Sequence, residues 1–130
     1  KWDNWVRGVG PTPMKTKYGW LVLYHAMDNE DPDRYKLGAM LLDLNDPTKV
    51  LYRSRSPFLE PDVSYENDGF KAGVVYCCGS AIMNDTLFIY YGGADTVTCV
   101  ATLDLEKFMK ELMSGEKSVT EKNKTLKKKK

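Results

Sequence analysis

The sequence has few of the residues, histidine and cysteine, that form metal sites and disulfide scaffolds. Its 130 residues include one histidine and three cysteines. Cys77, Cys78 and Cys99 form no C-x-x-C pair, and adjacent strand residues rarely bridge because their side chains diverge. We therefore expect no metal ion and no disulfide. The cysteines are interpreted as small buried apolar residues in a reducing compartment, which predicts a cytoplasmic location.

Long apolar runs and a strong excess of one charge are also missing. No stretch approaches the roughly 18 apolar residues that span a bilayer, so we expect no membrane partner. The net charge is +1, and lysines are concentrated in residues 114–130, which we predict to be a disordered tail after a folded domain of residues 1–113. The folded part has no basic patch, which argues against nucleic-acid binding.

The chain begins KWDNWVRG, without an initiating Met, a signal peptide or a polar lead-in. We therefore expect it to be a piece of a longer protein.

The strongest positive signal is a series of short apolar runs. They are rich in Val, Leu, Ile, Tyr and Phe and are bounded by Gly, Pro, Asn or Asp, as β-strands are. The runs are WLVLYH (20–25), LGAMLLDL (37–44), KVLYRS (49–54), GVVYCCG (73–79), TLFIYYGGAD (86–95) and VTCVATLDL (97–105). After them, Leu105, Phe108, Met109 and Leu112 follow helical spacing. The pattern predicts an all-β fold with a short C-terminal helix.

Polar residues at the ends of predicted strands are the first candidates for a functional site. His25 ends the first run, and Arg7, Lys15 and Tyr35 could join it as donors to an anion. The alternative for a lone histidine is a hydrogen-bonded structural role, and the sequence leaves both open. GVGPTPMKT (8–16) lacks the Gly-Lys-Ser/Thr of a nucleotide loop and is interpreted as a rigid turn.

Two carboxylates follow aromatic residues at the ends of apolar segments. Glu66 lies in SYENDG and Asp95 in YYGGADT. Aromatic faces beside carboxylates suit a sugar, because the ring stacks and the acids accept hydrogen bonds from hydroxyls. The alternatives are a turn-capping role for Asp95 and a solvated Glu66.

Four segments together resemble a known family. GVGPTPMKTKYGWLVLYHA, YKLGAMLLDLNDPTKVLYRSRSPFLEP, YENDGFKAGVVYCCG and LFIYYGGADTVTCVA occur in order between about Trp2 and Ala101. They are similar to the C-terminal part of glycoside hydrolase family 130, the β-mannoside phosphorylases and their hydrolytic relatives. The resemblance implies a five-bladed β-propeller, of which this chain holds about the last two blades.

The resemblance also implies roles for the candidate residues. His25 and Tyr35 would lie at inorganic phosphate, a co-substrate, and no other cofactor is implied. Glu66 and Asp95 would accept hydrogen bonds from mannosyl hydroxyls. The implied reaction is inverting phosphorolysis of a β-mannoside oligosaccharide, giving mannose 1-phosphate. Its catalytic acid, an Asp, and its paired phosphate-binding arginines are not found in this chain, so we name no catalytic residue and leave open whether the chain alone is an enzyme.

One position departs from the family pattern. The family's phosphate-binding Lys, two places before the first Gly of GVGP, is Val6 here, and Arg7 or Lys15 could supply the charge. Otherwise a hydrolytic relative is favoured. A non-catalytic carbohydrate-binding or truncated propeller module is the further alternative. In either case we expect homo-oligomers or association with the missing blades.

Overall fold

The computed structural model describes residues 1–122 and forms two open antiparallel sheets. The first contains β1 (Trp5–Val9), β2 (Met14–Thr16), β3 (Gly19–Met27), β4 (Lys36–Leu42) and β5 (Val50–Arg53), in the order β1-β3-β4-β5 with β2 beside β3. The second contains β6 (Val75–Met83), β7 (Thr86–Gly93), β8 (Val97–Asp104) and β9 (Glu121–Lys122), in chain order. A short helix α1 (Ser64–Asn67) lies between the sheets in sequence, and α2 (Leu105–Ser114) follows β8.

All six predicted strands are present, and the all-β class is confirmed. β3 to β8 coincide with the six apolar runs to within a few residues. Turn chemistry sets the register of the β6–β7 hairpin, where Asn84 and Asp85 both have positive φ, 49° and 60°. Two successive positive φ values are typical of the type I′ turn, whose twist matches that of antiparallel strands.

The core lies where the two sheets pack against each other. Alternate residues of the central strands point inward, so that Leu21 and Leu23 of β3 join Leu87 and Ile89 of β7 in one buried cluster. Alternation with a period of two places them on one face of each sheet. The sheets therefore stabilise each other through apolar burial.

Helix α2 confirms the predicted C-terminal helix. Phe108, Met109 and Leu112 are buried, and the Phe108 ring meets Phe58 edge-on with centroids 5.1 Å apart. The Asp104 side chain accepts a hydrogen bond from the backbone N–H of Lys107 and caps the first turn. Gly115, with φ 79°, ends the helix in the left-handed conformation that glycine favours.

The segment after α2 differs from the predicted tail in its first part. Residues 114–122 include the end of α2 and β9, which pairs with β8 through Ala101–Lys122 and Thr102–Glu121. The lysine-rich remainder of the predicted tail, residues 123–130, lies outside the described residues. Among the helices of residues 1–122, none is long and apolar enough to cross a membrane.

The three cysteines are free thiols. Cys77 and Cys99 are buried as expected, but Cys78 is exposed because it is the unpaired residue at the β-bulge between Cys77 and Gly79 of β6. Burial raises the pKa of the Cys77 thiol to about 12. That thiol is therefore protonated and unreactive near neutral pH.

Candidate functional site

His25 lies buried at the junction of the two sheets. Its side chain is 2% exposed, and its ring stacks on Tyr76 with centroids 4.4 Å apart. Nε2 accepts a hydrogen bond from the backbone N–H of Cys77 at 2.8 Å. The backbone of Gly8 bonds the imidazole as well. His25 therefore ties β1 and β6 to β3.

These contacts limit what the imidazole offers to a ligand. Burial lowers the pKa of His25, only partly opposed by the Gly8 hydrogen bond, so the neutral ring is favoured. A neutral imidazole has one donor and one acceptor, and the backbone uses both. This arrangement corresponds to the structural alternative raised from the sequence. The predicted contact of His25 with phosphate stays a prediction.

The GVGP segment passes close to the same ring. A Cβ on Gly10 would lie 2.5 Å from the carbonyl oxygen of Cys77 and 2.9 Å from Cε1 of His25. Only glycine allows the chain to approach the second sheet this closely. The segment is thus held by packing, as the rigid-turn interpretation requires, and its first residues form part of β1.

Tyr35 is the centre of a basic cluster. The Arg7 guanidinium lies 5.9 Å from the centroid of the Tyr35 ring, and Nζ of Lys71 lies 5.2 Å from it. Both cations are exposed and Tyr35 is half-buried. Arg7 and Tyr35 were predicted to lie together. Lys71 was not identified, because it is distant in sequence from both and belongs to a loop without periodicity.

Lys15 is not part of this cluster. It pairs with Trp20 at the start of β3, whereas Ala26 near the end of that strand pairs with Lys36, the neighbour of Tyr35. Ala26 lies six residue steps along the strand from Trp20, which corresponds to roughly 20 Å. The structure therefore does not bring Lys15 to Tyr35 and Arg7, and a shared anion site with Lys15 is not supported by the register.

Glu66 is fully buried and its carboxylate is surrounded by donors. Oε2 accepts from the backbone N–H of Asp62 at 2.9 Å and from Nζ of Lys122 at 2.8 Å, and Oε1 accepts from the Tyr91 hydroxyl at 2.6 Å. Burial and the bond to Glu66 raise the pKa of the Tyr91 hydroxyl well above its ordinary value. The solvated alternative for Glu66 is therefore wrong. Its contact with a sugar stays a prediction.

Asp95 lies exposed in the β7–β8 turn, with φ 53°. The turn is connected to the other candidates through the backbone. The N–H of Lys71 donates to the Ala94 carbonyl at 3.0 Å, and the N–H of Gly73 donates to the Glu66 carbonyl at 3.0 Å. Both the turn-capping and the sugar-binding interpretations of Asp95 fit this position.

These contacts form one continuous rim. The Tyr35 carbonyl accepts from the N–H of Val75 at 3.3 Å, at the start of β6. Tyr35, Lys71, the Ala94–Asp95 turn and the Glu66 backbone are thus linked around the same end of the two sheets. Within residues 1–122, no group of three or more His, Cys, Asp or Glu side chains is placed to hold a metal ion.

Comparisons with known proteins find relatives that match most of this chain. A family model described as beta-1,4-mannooligosaccharide phosphorylase matches residues 1–114. The chain is 49% identical over 105 residues to the 1,2-beta-oligomannan phosphorylase of Thermoanaerobacter sp. strain X514, an alignment that covers 81% of this chain and 35% of that protein. It is 45% identical over 112 residues to the beta-1,2-mannobiose phosphorylase of Listeria innocua serovar 6a, covering 86% of this chain and 31% of that protein.

Solved structures show the same similarity. The beta-1,2-mannobiose phosphorylase from Listeria innocua, in complex with beta-1,2-mannobiose, superposes with a TM-score of 0.76 and 46% identity over 82% of this chain and 30% of that chain. Another solved structure carries the description that the GH130 family of mannoside phosphorylases contains glycoside hydrolases that target beta-1,2 mannosidic linkages in Candida mannan. It gives a TM-score of 0.66 at 30% identity, over 75% of this chain and 30% of that chain. The chain spans about a third of the length of the relatives that it matches.

Proposed function

The chain belongs to glycoside hydrolase family 130, as a partial β-propeller of two open sheets, and from this premise we propose that its protein cleaves β-mannosides with phosphate. The proposed products are mannose 1-phosphate and the shortened acceptor sugar. Phosphate oxygen forms a bond to the anomeric carbon on the face opposite the breaking C–O bond, so configuration inverts. The leaving oxygen takes its proton from an acid that we do not identify in this chain.

One observation carries the proposal. Arg7 and Tyr35 form a cation–phenol cluster on the rim. Backbone hydrogen bonds along the same rim connect it to the turn that carries Asp95 and to α1, which carries Glu66. A phosphate ion and a sugar must lie side by side for phosphorolysis, and cations suit the first while carboxylates suit the second. We assign Tyr35 and Arg7 to the phosphate side, and Asp95 and Glu66 to the mannosyl side.

His25 has a supporting part in this proposal. It holds the Gly8 region of β1 against Cys77 of β6, and Arg7 directly precedes Gly8. We therefore assign His25 to the phosphate side as a positioning residue, through the strand that carries Arg7. A cytoplasmic location completes the proposal, because its free thiols persist in reducing compartments.

The test uses the whole protein that contains this segment, with β-1,2-mannobiose and inorganic phosphate. ³¹P NMR follows the formation of mannose 1-phosphate. We expect Asp95→Asn to lower kcat/KM by about tenfold or more, since hydrogen bonds to a charged group contribute roughly 1.5–3 kcal/mol. Glu116→Gln makes the same carboxylate-to-amide change on an exposed residue beyond α2 and is expected to have no effect.

A hydrolytic activity is the second candidate, and it is favoured by Val6 and by the hydrolases in the family of the Candida mannan structure. Phosphate dependence separates the two candidates. Release of free mannose at an equal rate with and without phosphate would replace phosphorolysis by hydrolysis. Binding of mannobiose without turnover by the whole protein would support a non-catalytic carbohydrate-binding role.

A further inference from the structure

We propose that Lys71 is an anion-binding residue that determines the use of phosphate by this chain, acting together with Arg7 beside Tyr35. The inference rests on the proposed function and deepens it by naming a residue of the phosphate side. Val6 carries no positive charge. The inference assigns that charge to Lys71, in the loop between α1 and β6.

The geometry comes from three separate parts of the chain. Arg7 belongs to β1, Tyr35 directly precedes β4, and Lys71 lies in the connection from α1 to β6. Both cations approach one phenol ring, at 5.9 Å and 5.2 Å from its centroid. The negative face of an aromatic ring attracts cations, so one phenol ring brings both charged groups into the neighbourhood of the Tyr35 side chain, whose hydroxyl is a possible donor to an anion.

No carboxylate of the described residues lies within ion-pair distance of either cation. Two carboxylates near Tyr35 bind other cations: Lys36 lies 3.5 Å from Asp28 and 3.1 Å from Asp31, and Arg34 lies 3.0 Å from Asp31. Among residues 1–122, neither Arg7 nor Lys71 forms an ion pair. Two like charges at one ring repel each other unless an anion lies between them.

The backbone beneath Lys71 is fixed even though its side chain is exposed. Its N–H donates to the Ala94 carbonyl at 3.0 Å. Two residues later, Gly73 has φ 74°, and a Cβ there would lie 2.9 Å from Nη1 of Arg34. A bound anion therefore orders only the side chain of Lys71, which keeps the entropic cost of binding small.

The test titrates the whole protein that contains this segment with inorganic phosphate and follows amide shifts by NMR. Lys71→Met is expected to raise the phosphate Kd about tenfold, because the lost charge-assisted hydrogen bond is of that magnitude. Lys15→Met removes the same charge from an exposed lysine of β2, which pairs with the start of β3 far from Tyr35, and is the matched control, expected to leave Kd within about twofold. Lys71→Arg is expected to restore binding.

The result that would overturn the inference is equal phosphate affinity in Lys71→Met and the wild-type chain, or no phosphate-dependent shift near Tyr35 in the wild type. An equal loss in Lys15→Met would also overturn it, because the effect would then be nonspecific. Failure of the proposed function has a different signature. Phosphate would still bind in a Lys71-dependent manner, but the whole protein would not cleave mannobiose.

Discussion

At the scale of single residues, His25 is a titratable group that is almost completely removed from water. Two strands use its ring nitrogens and Tyr76 covers its face. Protonation would add a second N–H and remove the acceptor that the Cys77 N–H needs. The residue that the family resemblance assigns to phosphate is thus also part of the packing between the sheets.

We predict that acid weakens the fold through His25. Its folded pKa lies below its ordinary value, so the unfolded chain binds more protons as the pH falls below about 6.5. Stability is complete above that pH and decreases below it, by up to about 1.4 kcal/mol per pH unit until the folded pKa is reached. Urea unfolding at about pH 7 and about pH 5.5 measures the difference.

The chain has one histidine, which makes the control simple. His25→Gln cannot titrate and should lose stability at both pH values, with little further change between them. A variant that keeps the wild-type pH dependence would show that another group is responsible.

At the scale of elements, the sequence predicted strands wherever apolar burial sets the pattern. β3 to β8 have continuous or alternating apolar residues and were found. All five residues of β1 are exposed, β2 has three residues and β9 two. These three form by pairing with an existing edge, so their own residues carry no periodic signal.

The residues of the candidate site also divide into those that the sequence identified and those that it did not. His25, Tyr35 and Asp95 were identified because they lie at the ends of apolar runs, and these ends are visible in the sequence. Lys71 and Lys122 reach the site across the fold, from a loop and from a two-residue strand. Contacts between residues so far apart in sequence depend on the packing of both sheets and cannot be inferred from local pattern.

Lys122 fixes β9 to the rest of the fold, and we predict a large loss of stability on its removal. Its side chain is 10% exposed, and Nζ contacts the fully buried Glu66 at 2.8 Å as well as the carbonyl of Glu60 at 2.9 Å. Lys122→Met leaves a buried carboxylate without its cation, which costs roughly 3–5 kcal/mol. Chemical denaturation measures the change.

A second lysine of the same segment provides the control. Lys117 is 60% exposed and lies 3.4 Å from Glu60, so Lys117→Met should change the free energy of unfolding by no more than about 1 kcal/mol. The double variant Lys122→Met with Glu66→Gln should recover much of the loss, because no charge then remains buried. Equal effects of the two lysines would contradict a special role for Lys122.

At the scale of the whole molecule, each sheet covers only one face of the other. On the second sheet, the outward face carries Met83, Phe88, Tyr90 and Val100. Met83 is 56% exposed and Tyr90 43%. The first sheet also leaves β1 with a free edge, and Trp5, Val6 and Val9 are exposed there. Such faces and edges are normally covered in a propeller by the next blade.

We therefore predict that the 130-residue chain self-associates in solution through the outward face of the second sheet. Tyr90→Lys places a charge in that face and should shift sedimentation velocity profiles toward monomer. Phe70→Lys makes a comparable change at an almost fully exposed loop residue and should leave the profile unchanged. A compact monomer for the wild-type chain at every concentration would mean that two blades suffice, since association is the only route by which this face avoids water when no third blade is present.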